Sequence, residues 1–225
     1  MTESRFVNAL ALGLDPAWRR LSHDDRCRSA EEFCAGVTAQ SEVTTFSYST
    51  IGLRTGVDLL LWSLAPSLEA LETKNAGALR TGMGIWMAVR HSFLGVIRPS
   101  QYVKRPTSQE QSIFTGERSA YLIVYPFTKS TAWYLLPEDE RQRVMNEHMK
   151  VGHHYPQVRQ LLANSFGLDD MDFLVAYETD DLVVFGALVR ELRGTESRRS
   201  TVRDTPILTG IHRPIEEITR LLGAE

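Results

Sequence analysis

Residues 125–160 read YPFTKSTAWYLLPEDERQRVMNEHMKVGHHYPQVRQ, and this stretch decides both the fold and the chemistry to look for. Tyr125, Lys129 and Trp133 recur every four residues. Pro137 and the acidic run Glu138, Asp139 and Glu140 then open a helix, because proline suits the first turn and negative charge suits the helix N-terminus. The helix is expected to run through Val151, to stop at Gly152 and to deliver His148 from its last turns. The apolar run Ala120–Tyr125 reads as a strand ended by Pro126. Val158–Phe166 and Asp172–Glu178 read as strands around a Gly167–Asp170 turn. Val183–Leu192 has helical spacing, and Thr205–Gly210 closes with a strand.

The first half carries the same order. Phe6–Leu14 is a strand and Ser29–Thr38 a helix. The alternating stretch Glu42–Ile51 leads through a Gly52–Gly56 turn to the strand Val57–Leu64. Pro66 starts a helix to about Ala76, and Met83–Val96 suits a strand. The order β-α-β-β-α therefore occurs twice. We expect an α+β fold of two ferredoxin-like units, residues 1–98 and 119–225, joined by a polar connecting loop, residues 99–118.

Bulk properties exclude several classes. The 225 residues are 43% hydrophobic and 24% charged, with a formal charge of −3, which does not favour nucleic acid or an anionic membrane as partner. Cys27 and Cys34 imply no disulfide framework. The N-terminus lacks the pattern of a signal peptide, and the longest apolar runs fall short of a membrane span, so a cytoplasmic protein is expected.

His148 is either an iron ligand, with Val144 and Met145 making one side of its turn apolar, or a core histidine bonded to a carbonyl. His153 and His154 fit no standard zinc spacing. Glu196 and Asp204 are candidates to orient an imidazole through its second nitrogen. Tyr125 can pass an electron and a proton to an activated cofactor, or serve as a core aromatic. Trp133 can wall a cofactor or fill a core. Lys129 and Arg193 can clamp a ligand with several carboxylates. Arg159 and Gln160 point to opposite faces of a strand, so only one faces a given pocket. An arginine there would hold an oxyanion, whereas a glutamine would add no charge.

The words YPFTK, AWY, LPEDER, EHMKVG, YPQVR, SFGLDD and DTP, in this order and spacing, resemble the chlorite dismutase superfamily, especially its coproheme decarboxylase branch. The resemblance is strongest over Ser119–Gly210. It implies a duplicated ferredoxin-like α+β barrel, assembled as a homopentamer, that binds an iron porphyrin: coproheme III as substrate and redox centre, or heme b as product or cofactor. It places the proximal iron ligand on His148, the pocket lysine and tryptophan on Lys129 and Trp133, and the radical-forming tyrosine on Tyr125. A propionate-binding arginine falls on Arg193, and the carboxylate linked to the proximal histidine on Glu196. The distal position falls on Gln160, as in one group of decarboxylases, or with a one-residue shift on Arg159, as in chlorite-degrading members. Arg198 stands where some decarboxylases have a serine. The implied reaction is peroxide-dependent decarboxylation of coproheme to heme b. The alternatives are chlorite dismutation to chloride and dioxygen, and a non-catalytic heme carrier or sensor.

Overall fold

The computed structural model describes residues 5–97 and 117–225. They form two compact α+β units. The first holds β1 (Arg5–Leu14), α1 (His23–Thr38), β2 (Thr44–Arg54), β3 (Val57–Ala65), α2 (Leu68–Leu79) and β4 (Met87–Ile97). Its antiparallel sheet runs β4-β1-β3-β2, and β9 (Leu208–His212) adds to the edge of β2 through Tyr48 opposite His212. Gly13, near the end of β1, must be glycine for steric reasons: a β-carbon there would sit 2.2 Å from the carbonyl oxygen of Gly56. Gly56 itself turns the β2–β3 hairpin at φ 73°.

Both helices begin at caps that the apolar periodicity hides. The Ser22 hydroxyl accepts from the Asp25 amide, so α1 starts six residues before the expected Ser29. Ser67 likewise accepts from the Ala70 amide and sets the start of α2, after Pro66. Met83 to Trp86, expected to open a strand, belong instead to a 3-10 turn, Gly82–Trp86, before β4. Leu10, Leu12, Leu14, Trp18, Phe33, Leu59, Leu61 and Met83 pack into one buried cluster between α1 and the sheet. The C-terminal α6 (Ile215–Thr219), which periodicity does not announce, joins this cluster through Ile215 and Ile218, followed by Leu222 in the turn after it. Leu208–Glu225 thus belongs with the first unit, whereas the element order in the sequence assigns it to residues 119–225. The expected 99–118 loop lies outside the described residues up to 116.

A polar chain crosses this unit. Lys74, 1% exposed, donates to the Ser63 hydroxyl (3.1 Å) and the Asn75 side-chain carbonyl (3.3 Å); Asn75 donates to Asn8, and Asn8 donates to the Phe93 carbonyl. No carboxylate pairs with the Lys74 ammonium among the described residues, and burial lowers its pKa to about 7. An unfolded lysine holds its proton to about 10.5, so between pH 7 and 10.5 the unfolded chain binds a proton that the folded chain has shed. Stability therefore rises with pH across that window. Lys74→Met should raise the melting temperature at pH 7 and flatten this rise. Thermal unfolding between pH 6.5 and 9.5 checks it, and an unchanged slope would refute it.

The second unit holds β5 (Tyr121–Lys129), α3 (Thr131–Leu135), α4 (Glu138–His153), β6 (Arg159–Asn164), β7 (Phe173–Thr179), α5 (Leu182–Arg193) and β8 (Thr201–Arg203). Its antiparallel sheet runs β8-β5-β7-β6. This is the strand order of the first unit. Three expectations need correction. Pro126 does not end its strand: Tyr125 opposite Val175 and Phe127 opposite Phe173 hold β5 in register across it, so proline's missing donor is tolerated. Gly152 does not end α4, because its φ/ψ stays helical and the last turn runs to His153. The expected strand Thr205–Gly210 begins only at Leu208, as β9 (Leu208–His212), and a short strand not expected from the sequence, β8, precedes it.

Candidate functional site

Cross-strand register sorts the side chains of the second unit. Residues paired directly across an antiparallel sheet share a face, and successive residues alternate. Gln160 pairs with Tyr177, and Tyr177 with Ile123; Tyr125 lies two residues along from Ile123. Gln160, Tyr177 and Tyr125 therefore share one face of the sheet, and Lys129, beyond a register shift at the end of β5, lies 5.4 Å from the ring of Phe127, two residues along from Tyr125. Ile123, Val175 and Tyr177 pack there against Leu188 and Val184 of α5 and Val151 of α4. Arg159 pairs with Glu178 on the opposite face. There its guanidinium lies 2.9 Å from Glu178, which is also 3.2 Å from Arg118; the Glu178 and Arg118 side chains are each 1% exposed. The choice that the sequence leaves open between Arg159 and Gln160 is a choice of face, and it is Gln160 that shares the face of Tyr125.

Lys129 ends β5 and turns its ammonium into the protein. It donates to the Ser197 carbonyl and hydroxyl, both at 2.8 Å, and lies 4.6 Å from the Trp133 ring and 5.4 Å from the Phe127 ring. It has no carboxylate partner among the described residues. Burial, then the charge of Arg198, lowers its pKa to about 8. Asp172 pins the turn around it, accepting from the Lys129 amide (2.6 Å) and the Tyr134 hydroxyl (2.7 Å). Trp133 is carried by α3, a five-residue helix that Ser130 caps and that is too short for periodicity to reveal.

His148 comes from α4, three turns along from its acidic start. Its Nδ1 is buried without a hydrogen-bond partner. Burial first, then the nearby Lys129 charge, lowers its pKa to about 4 against a small opposing effect from Glu147, so the imidazole is neutral at physiological pH. The core alternative, a histidine bonded to a carbonyl, is not met at this nitrogen. Glu196 and Asp204 are each engaged by arginines among the described residues. The Glu196 carboxylate accepts both arms of Arg143 (2.9 and 3.0 Å), and Asp204 takes Arg198 (2.5 Å), with Arg193 at 3.7 Å. A planar guanidinium satisfies a carboxylate better than one imidazole N–H can. Arg193 and Asp204 instead act on Tyr125, the arginine lowering and the carboxylate raising its pKa.

The structure thus gathers Tyr125, Lys129, Trp133, His148, Gln160 and Arg193 in one unit, removes Arg159 to the other face, and ties Glu196 into a surface ion pair. It adds two residues that sequence reasoning missed. Ser197 receives Lys129, and Tyr177 stacks on Tyr125 with ring centroids 6.3 Å apart.

The sequence does hold a signal for the site. Tyr125, Lys129, Trp133 and His148 each follow Leu10, Leu14, Trp18 and Phe33 by the same interval (125 − 10 = 129 − 14 = 133 − 18 = 148 − 33 = 115). The four residues of the first unit all belong to its closed hydrocarbon cluster. The second unit replaces three of them with a phenol, an ammonium and an imidazole, each of which costs free energy to bury. Such a substitution pattern marks a site set up for a ligand rather than for packing.

A neutral imidazole with an unbonded buried nitrogen is a good donor to iron. Among the described residues no three His, Cys, Asp or Glu side chains gather to hold a bare ion, so an ion bound at His148 would have to bring its other ligands with it. An iron porphyrin does so. The unpaired Lys129, with Arg193 and Arg198, fits its carboxylates, and Trp133 offers an aromatic wall.

A family description of chlorite dismutase matches residues 25–213. The chain is 34% identical over 173 residues to the coproheme decarboxylase of Mycolicibacterium smegmatis, covering 76% of this chain and 74% of that one. It also resembles a mutant chlorite dismutase from Candidatus Nitrospira defluvii, with TM-score 0.90, 27% identity and coverage of 100% and 97%. Chlorite dismutase from the same organism in complex with imidazole gives TM-score 0.88, 28% identity and the same coverage.

Proposed function

The chain belongs to the chlorite dismutase family, and from that membership we propose that it is a coproheme decarboxylase, converting iron coproporphyrin III to heme b with peroxide as oxidant. The observation that carries this reading is the register of β6: Gln160, not Arg159, shares the face of Tyr125, so the site offers a redox-capable phenol and no distal cation from that strand. We read the two units, with their common strand order, as duplicated ferredoxin-like units of which only the second keeps a ligand site.

His148 would hold the iron through its neutral imidazole. Lys129 and Arg193 would receive propionates, and Trp133 would line the macrocycle. The bound iron porphyrin supplies the redox centre that peroxide oxidises. Tyr125 then gives up its phenolic hydrogen and takes one from a neighbouring propionate chain, which loses carbon dioxide and becomes a vinyl group. Each round consumes one propionate, one peroxide and one proton, and releases one carbon dioxide and two waters. The protein's contribution is orientation of that side chain beside Tyr125. Lys129, with a pKa lowered to about 8, remains mostly charged at neutral pH and balances the reacting carboxylate.

Chlorite dismutation is favoured by a different observation, the near-complete structural match to chlorite dismutases. One set of measurements separates the readings. Coproheme added to the protein and titrated with peroxide should yield pigments lighter by one and then two propionate-to-vinyl conversions on mass analysis. His148→Ala should lose the coproheme-binding absorbance change. Simple bleaching without propionate loss, with rapid oxygen release from chlorite by the heme b-loaded protein, would replace the first reading by the second.

A further inference from the structure

The decarboxylase reading makes Tyr125 the reacting group, and on that reading we propose that Tyr177 is a positioning residue for it: the Tyr177 hydroxyl accepts the Tyr125 O–H and fixes the direction in which that phenol faces. Three observations converge. The two rings stack with centroids 6.3 Å apart and planes 28° apart, and each phenol shifts the other's titration in the sense of donation from Tyr125 to Tyr177. Tyr177 is fully enclosed and gripped on its other side by Phe185, at 5.2 Å, so its own direction is set by packing. Its Cα partner across β6 is Gln160, which puts Tyr177 between Tyr125 and Gln160 on the shared face.

The first unit shows what packing alone would ask for. The residue paired with Thr45 on β3, as Tyr177 is with Gln160 on β7, is Ser63. That serine serves the polar chain of Lys74 and has no aromatic partner. A stacked phenol at this point is therefore specific to the unit that carries Tyr125.

The electrostatics agree. Burial, then Tyr177, pushes the Tyr125 phenol well above its usual range, and burial pushes Tyr177 up to about 12. The other charged groups facing Tyr125 are Arg193 from α5 and Asp204 beyond β8, and they oppose one another. Burial and a neutral partner keep the proton on Tyr125. Tyr125 is thereby kept as a hydrogen-atom donor rather than a phenolate.

Tyr177→Phe keeps the ring and its packing on Phe185 and removes only the hydroxyl. Two readouts test the inference. In coproheme-free protein labelled with 3-fluorotyrosine, the Tyr125 fluorine signal, assigned by its loss in Tyr125→Phe, should shift and broaden in Tyr177→Phe. In turnover, coproheme affinity should stay within twofold while kcat for the first propionate loss falls about tenfold, the effect of one hydrogen bond to a reacting group. A Tyr125 signal that does not move, or one that moves while kcat is unchanged, overturns the inference alone. Normal turnover by Tyr125→Phe overturns the decarboxylase reading and the catalytic part of this inference together.

Discussion

Tyr125→Phe should bind coproheme with the same His148-dependent spectrum as the unaltered protein and lose propionate decarboxylation by on the order of 10²-fold or more, the size expected for a group that acts only in the transition state. Phenylalanine preserves the ring that packs with Ile123, Val175 and Tyr177, so the core is not opened. It removes the hydroxyl that we propose donates to Tyr177, a loss of about 1 kcal/mol. Folding and binding are thus separated from chemistry, and the loss should appear in kcat rather than in affinity. Peroxide should still react with the bound iron, so the pigment bleaches without losing carbon dioxide. Heme b formation at the normal rate in this variant would exclude the radical role of Tyr125 and leave chlorite dismutation as the stronger reading.

Tyr125 is legible in the amino-acid sequence because it lies in a strong strand pattern, and His148 is legible because its helix has an acidic start. Local punctuation misleads instead. Pro126 and Gly152 are breakers by propensity, yet pairing on both sides of Pro126 and the helical φ/ψ of Gly152 override them. Ser22 and Ser67 set helix starts through cap hydrogen bonds that an apolar pattern does not register. β8 has three residues, too few for periodicity to show, although it is what brings Thr201 opposite Lys129.

The site is legible in its residue types and not in its pairings. Alternation along β6 says that Arg159 and Gln160 face opposite ways, but only the Cα partners on β7 say which way each faces. Glu196 resembles a histidine partner because it is a carboxylate near the right place. Arg143, on the same helix as His148, reaches it first, and nothing in the local sequence of Glu196 announces that. The repeat linking Leu10 to Tyr125 and Phe33 to His148 is hidden because only Trp18 and Trp133 are identical among the four pairs. The replacements that erase the similarity are the ones that create the site.

Glu178→Gln should cost about 3–5 kcal/mol of folding stability, measured by urea unfolding, because it removes one partner from a desolvated ionic cluster. The Glu178 carboxylate lies between Arg118 at 3.2 Å and Arg159 at 2.9 Å; the Glu178 and Arg118 side chains are 1% exposed and that of Arg159 is 18% exposed. A buried lysine can shed its proton when its counter-ion is lost, as the lowered pKa of Lys74 illustrates, but a guanidinium cannot. Two positive charges would then face each other across a neutral amide. Glu196→Gln, which breaks the exposed Arg143 pair, should change stability little by comparison, since water already solvates both groups. If Glu178→Gln costs no more than Glu196→Gln, the triad is not the constraint we take it to be. The same variant bears on function. It releases the Arg159 side chain from its carboxylate without altering the register that sends it away from Tyr125. It should therefore gain no chlorite-dependent oxygen release, and such a gain would mean that side-chain pairing, rather than the β6 register, keeps Arg159 out of the site.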